Sequence, residues 1–154
     1  MQLAHDFHVA GGIDSQSPSK APRHLWVVGL LLVLWNAWGV ALAIGVQTSK
    51  IPAIDPADVA FFEAQPLWIA LVADLGALAG VAGAASLLLQ SRWALRFFVA
   101  QVTLIGFTNL YEVANGTSLL LDSPEIQAAT AVLVVLLAAQ IFYAWKMIRR
   151  RVLY

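Results

Sequence analysis

The chain has 154 residues, of which 60% are hydrophobic and only 12% charged, and its formal net charge at pH 7 is +0. Soluble domains are usually about 45–50% apolar and about 25% charged, so this composition excludes an ordinary water-soluble protein. Because the sequence contains no cysteine, disulfides and cysteine-based metal sites are also excluded. We expect no nucleic-acid partner.

The first predicted element is a disordered cytoplasmic tail, residues 1–22. This segment is polar, rich in glycine, serine and proline, and lacks the periodicity of a helix or a strand. Its His5 and His8 have no third ligand nearby in the sequence, so we predict no metal site there. The remaining residues, 23–154, are predicted to form one transmembrane domain.

Four apolar segments follow, each able to supply the roughly 20 residues that cross a hydrocarbon core about 30 Å thick. They predict membrane spans at about 25–46, 67–89, 93–113 and 125–147. Between the first two, Asp55 can cap a helix that starts at Pro56, and Pro66 ends it. The predicted fold class is therefore an all-α membrane protein. It is a four-helix transmembrane bundle with a short outer-face helix between spans one and two.

The basic residues predict the orientation of these spans. Eight of the nine lysines and arginines fall in the N-terminal tail, around the connection of spans two and three, or after span four, and Lys50 alone lies on the other side. The positive-inside rule then places the N-terminus and the C-terminus in the cytoplasm. An uncleaved first span is favoured over a signal peptide, because its apolar run is longer than a usual h-region and about 24 residues precede it.

Small residues mark the faces on which helices are expected to pack. In lipid, helices associate where small side chains let their backbones approach closely. Such residues recur at helical spacing in spans one and two. The predicted packing residues are Gly29, Gly39, Ala73, Ala77 and Gly80.

Polar residues inside the spans are the candidate functional site. Asp74 lies seven residues past Leu67, roughly 10 Å from the outer end of its span at 1.5 Å per residue. We expect its neighbours to be Asn36 or Glu112, and we expect Gln101 and Gln140 to form a second, deeper polar level. The predicted polar pocket contains Asn36, Asp74, Gln101, Asn109 and Glu112.

Two hypotheses explain a carboxylate at Asp74. Intramembrane carboxylates often serve proton or cation transport, because burial in lipid is costly unless the group has a function or a partner. The other hypothesis is a hydrogen-bonded aspartate that fixes the register of two helices. The sequence favours this structural hypothesis, since no second carboxylate lies deep and no broken helix marks a substrate site.

Three segments carry a resemblance to a known family. The sequences PRHLWVVGLLLVLWNAWG at 22–39, FFEAQPLW at 61–68 and SLLLQSRWAL at 86–95 resemble small four-span bacterial inner-membrane proteins of unassigned function. Members of that family are often labelled "sugar transporter" by automatic annotation, which rests on no motif in this chain. The resemblance implies a bacterial inner (plasma) membrane location. The small multidrug resistance family is similar in size, but it places its essential glutamate in the first span, where this chain has Asn36.

The function predicted from these features is that of a small integral inner-membrane protein of structural or accessory type. The alternative is a small-solute transporter, for a sugar or a cation, which four short spans could form only as an oligomer. We expect no enzymatic activity, because the sequence shows no nucleophile–base constellation, phosphate loop or metal quartet. Accordingly, no catalytic residue, cofactor or metal is predicted. The expected partners are the lipid bilayer and either a second copy or a larger membrane complex.

Overall fold

The structure is a computed structural model and describes residues 21–48, 65–116 and 124–154. The described residues form four helices: α1 Arg23–Gln47, α2 Leu67–Leu88, α3 Trp93–Ala114 and α4 Pro124–Arg149. The predicted spans are thus confirmed, with ends that differ by at most two residues. The predicted outer-face helix and residues 1–20 of the predicted tail lie outside the described residues. Ala21, the first described residue, packs against the hydrophobic core.

All four helices are long and apolar enough to cross a membrane. At 1.5 Å per residue they measure roughly 33–39 Å, which exceeds a hydrocarbon core of about 30 Å. Large apolar side chains such as Leu110, 67% exposed, cover much of the outer surface. A surface of this kind suits lipid, and the chain is a multi-pass helical membrane protein by these criteria.

Helix α2 is the centre of the bundle, because it packs extensively against both α1 and α3. Glycines set these contacts. A Cβ on Gly83 would lie 2.7 Å from two ring carbons of Phe98 in α3, and a Cβ on Gly29 would collide with Leu88 at the end of α2. Helix α4 packs mainly against α3, and far less extensively. The three-helix unit α1–α3 is therefore the tightly packed part of the described chain.

The predicted packing residues divide into two groups. Gly29 and Gly80 are buried against neighbouring helices, as predicted, and Ala73 and Ala77 are half-buried in α2. Gly39 is exposed, and a Cβ there would meet no described atom within 4 Å. Its predicted packing role is wrong within the described chain, since α1 turns this side of its surface away from α2.

The end of the bundle that carries the arginines is closed by a hydrophobic cluster. All four helices contribute, with Leu25 from α1, Leu87 from α2, Phe98 from α3 and Met147 from α4. Val152 and Leu153, which follow α4, are buried in the same cluster at 4% and 2% exposure. We call residues 150–154 the C-terminal latch.

Backbone hydrogen bonds fix the C-terminal latch to the connection between α2 and α3. The Tyr154 amide donates to the Gln90 carbonyl at 2.9 Å, and the Arg92 amide donates to the Tyr154 oxygen at 3.3 Å. A residue in the left-handed conformation follows each of the two helices: Gln90, with φ 56°, follows α2, and Arg151, with φ 55°, follows α4. At both positions the helix ends with paired bonds back to its last carbonyls, which is the Schellman arrangement.

Candidate functional site in the bundle interior

A buried amide pair joins α1 to α3. The Gln101 Nε2 donates to the Asn36 Oδ1 at 2.7 Å, and both side chains are only 4% exposed. The Asn36 Nδ2 donates in turn to the Leu32 carbonyl at 2.8 Å, which holds the amide in position. Because hydrocarbon offers a polar group no other partner, such a bond stabilises the association of two helices.

Gly80 of α2 makes this amide pair possible. A Cβ at Gly80 would collide with the Asn36 Oδ1 and the Gln101 Nε2, and it would lie 2.7 Å from the Gln101 Cδ. The hydrogen-bonded amides therefore lie directly against the α2 backbone. Asn36, Gly80 and Gln101 together form one contact that all three helices share, which we call the amide junction.

Asp74 has a partner that the sequence did not suggest. The Gln47 Nε2, from the last residue of α1, donates to both Asp74 carboxylate oxygens, at 3.0 and 2.8 Å. The predicted neighbours Asn36 and Glu112 are not hydrogen-bonded to it in the described chain. Gln47 lies eleven residues beyond Asn36, roughly 16 Å along the helix axis. The Asp74 contact and the amide junction are thus separate sites.

Glu112 forms a third polar contact near the same end. The Gln65 Nε2 donates to the Glu112 Oε1 at 2.8 Å, joining the residues just before α2 to the last turns of α3. Aromatic rings pack close by, with Trp68 and Tyr111 centroids 5.0 Å apart. This end of the bundle is therefore held by two glutamine–carboxylate pairs, Gln47–Asp74 and Gln65–Glu112.

Asn109, the remaining member of the predicted pocket, is half-buried and donates from its Nδ2 to the Ile105 carbonyl of its own helix at 2.7 Å. It borders a groove of about 390 Å³ between α3 and α4 whose other lining residues, apart from Thr130, are apolar. The prediction that Asn36, Asp74, Gln101, Asn109 and Glu112 converge on one polar pocket is wrong. Asn36 pairs with Gln101, while Asp74 and Glu112 each pair with a glutamine outside the predicted set. Asn109 bonds to its own helix.

A few buried polar atoms lack a hydrogen-bond partner among the described residues: Gln101 Oε1, both amide atoms of Gln140, and Tyr143 Oη. Gln140 is 2% exposed, so it faces the bundle rather than lipid. Gln101 lies one turn from Phe98, and Gln140 lies one turn from Ala144. Phe98 and Ala144 belong to the same hydrophobic cluster. The predicted deeper level thus contains both glutamines, but no hydrogen bond joins them.

Sequence reasoning missed Gln47 and Gln65, which are the partners of the two carboxylates. Both lie at or beyond a helix end, where a polar residue is expected in any case and carries no special signal. Sequence reasoning also missed the C-terminal latch, because the apolar residues of the latch follow three arginines, which indicate a solvent-exposed terminus. In the described ranges, no group of three or more histidine or acidic residues could hold a metal ion.

Comparisons with known proteins leave the chain without a matched relative. No family model, no curated protein and no solved structure matches it.

Proposed function

We propose that the chain is a small integral membrane protein of structural or accessory type, without enzymatic activity of its own. The observation that supports this best is that polar side chains of different helices pair with one another. Asn36 and Gln101 join α1 to α3, and Gln47 and Asp74 join α1 to α2. Side chains used in this way hold the helices in one arrangement rather than line a path for a solute.

The course of the backbone supports the same proposal. Transporters commonly bind substrate near the membrane midplane, where interrupted helices expose backbone groups. The four helices described here run without a break. The grooves between α3 and α4 have almost entirely apolar walls, which suit lipid tails or another helix better than a hydrated solute.

The alternative is an oligomeric transporter of a small solute such as a sugar or a cation. Two observations favour it: a half-buried carboxylate at Asp74, and the amide of Gln140, which is buried without a hydrogen-bond partner in the described chain. A path through these groups would need a second copy to complete it. A transporter would need the Asp74 carboxylate for flux, whereas a structural role needs only its hydrogen bond to Gln47.

Substitution of Asp74 separates the proposals. Asp74→Asn keeps one acceptor for Gln47 and should leave stability in detergent nearly unchanged, whereas Asp74→Leu should cost about 0.6 kcal/mol, the average for such contacts. In proteoliposomes we expect neither variant to change proton, cation or sugar flux relative to the parent. An Asp74→Asn protein that folds like the parent but loses a measurable, pH-dependent flux would establish the transporter instead.

We further propose a bacterial inner-membrane location with both termini in the cytoplasm. The resemblance of residues 22–39, 61–68 and 86–95 to small four-span inner-membrane proteins supports the location. The gathering of Arg23, Arg92 and Arg149 at one end of the bundle supports the orientation. An alkaline phosphatase fusion should be inactive after Tyr154 and active at residue 60. The reverse pattern would overturn the orientation.

A further inference from the structure

A groove between α3 and α4 opens at the basic end of the bundle. Its volume is about 620 Å³, and it is lined by Leu95, Ala138, Ile141, Phe142 and Trp145. All of these side chains are apolar or aromatic. Along α4 the groove extends past Ala138, whose small side chain leaves space beside α3. A hydrocarbon chain lying along the helices would fit walls of this kind.

A cationic side chain stands at the basic end of this groove. The Arg149 guanidinium lies 4.7 Å from the ring centroid of Trp145, which itself lines the groove. Tryptophan rings favour the membrane interface, so this stacked pair places positive charge at headgroup depth.

The spacing along α4 matches the shape of a phospholipid. Arg149 lies eight residues beyond Ile141, roughly 12 Å along the helix axis. A phosphate bound at the arginine would therefore leave its acyl chain beside Ile141 and Ala138. Arginine binds phosphate in two-pronged fashion and is weakly hydrated, which suits this position. The side-chain carboxylates Asp74 and Glu112 lie toward the opposite end of the bundle and do not oppose the charge.

We propose that this groove binds one anionic phospholipid of the membrane. Its phosphate lies at Arg149, and one acyl chain lies in the groove against Ala138, Ile141 and Trp145. Basic pockets between transmembrane helices are known to select anionic headgroups on the cytoplasmic side. This inference does not depend on whether the chain is an accessory protein or a transporter.

The test uses quenching of tryptophan fluorescence by brominated lipids in the detergent-solubilised full chain. Brominated phosphatidylglycerol should quench at lower concentration than brominated phosphatidylcholine, and added inorganic phosphate should not compete with it. Arg149→Gln should weaken phosphatidylglycerol binding about fivefold, as expected for one charge near the headgroup. The matched control Arg23→Gln, which removes the same charge from α1, should change it less than about twofold.

A second pair of variants tests the acyl-chain part of the site. Ala138→Phe fills the groove and should weaken binding of both lipids, whereas Ala139→Phe, on the next residue and outside the groove, should not. The proposal is overturned if both lipids quench equally well, or if inorganic phosphate competes. It is also overturned if Arg23→Gln weakens binding as much as Arg149→Gln, or if the two alanine variants behave alike.

Discussion

Helices α2 and α4 are built from similar apolar residues, yet they are packed very differently. Helix α2 packs extensively against both α1 and α3, whereas α4 packs mainly against α3 and far less extensively. Both are apolar enough to cross a membrane, so hydrophobicity does not explain the difference. Helix α2 has Gly76, Gly80 and Gly83 on its buried side, whereas α4 contains no glycine. Close approach of the backbone, rather than apolar surface, decides which helices form the tight unit.

The two buried glutamines show the same difference at the level of one side chain. Gln101 is held by Asn36 against the Gly80 backbone, whereas Gln140 has no hydrogen-bond partner among the described residues. Close packing in the α1–α3 unit brings the first amide within reach of another helix. At the looser α3–α4 contact the second amide finds none. Packing therefore determines which polar residues contribute to the bundle.

The largest expected effect comes from filling the amide junction. Gly80→Leu places a branched side chain where Asn36 and Gln101 meet, so it must separate the helices. We expect it to lower the free energy of unfolding in detergent by about 3 kcal/mol. Val134→Leu, on an exposed position of α4, should change it by less than about 0.5 kcal/mol. Equal effects of the two leucines in a thermal or denaturant titration would mean that the glycine surface of α2 is not the packing surface.

The C-terminal latch should contribute the next largest effect. Leu153 is 2% exposed in a cluster that unites all four helices, so Leu153→Ala should cost about 2 kcal/mol. Tyr154 is 64% exposed, and Tyr154→Ala keeps the backbone bonds to Gln90 and Arg92. This control should therefore be close to neutral. If Leu153→Ala unfolds with the same midpoint as the control, the latch does not hold the four helices together.

The sequence was sufficient to predict the four spans and much of the helix packing. Long apolar runs and the distribution of arginines are local signals, and the observed helix ends agree with them. Gly29 and Gly80 were recognisable because small residues recur at helical spacing in their spans. Gly39 follows the same spacing but faces no described neighbour. Periodicity groups residues on one side of a helix and does not say which side the neighbouring helix contacts.

The polar contacts were harder to predict, for a physical reason. Which polar residues pair depends on how far neighbouring helices are shifted relative to each other along their axes. That shift is set by packing rather than by the sequence around each residue. Asp74 pairs with Gln47 because the C-terminal end of α1 lies beside the first turns of α2. The C-terminal latch was hidden for a related reason. A left-handed turn at Arg151 redirects Val152 and Leu153 into the core, and arginine gives no sign of such a turn.

The most direct test of the account is a double-mutant cycle across the amide junction. Asn36→Leu, Gln101→Leu and the double variant should give a favourable coupling of about 1 kcal/mol between the two side chains, within the range measured for polar pairs in membranes. A parallel cycle of Asn36→Leu with Gln140→Leu should give a coupling near zero, because the Gln140 amide bonds to no described residue. A vanishing coupling in the first cycle, or an equal one in the second, would contradict the claim that paired polar side chains join these helices.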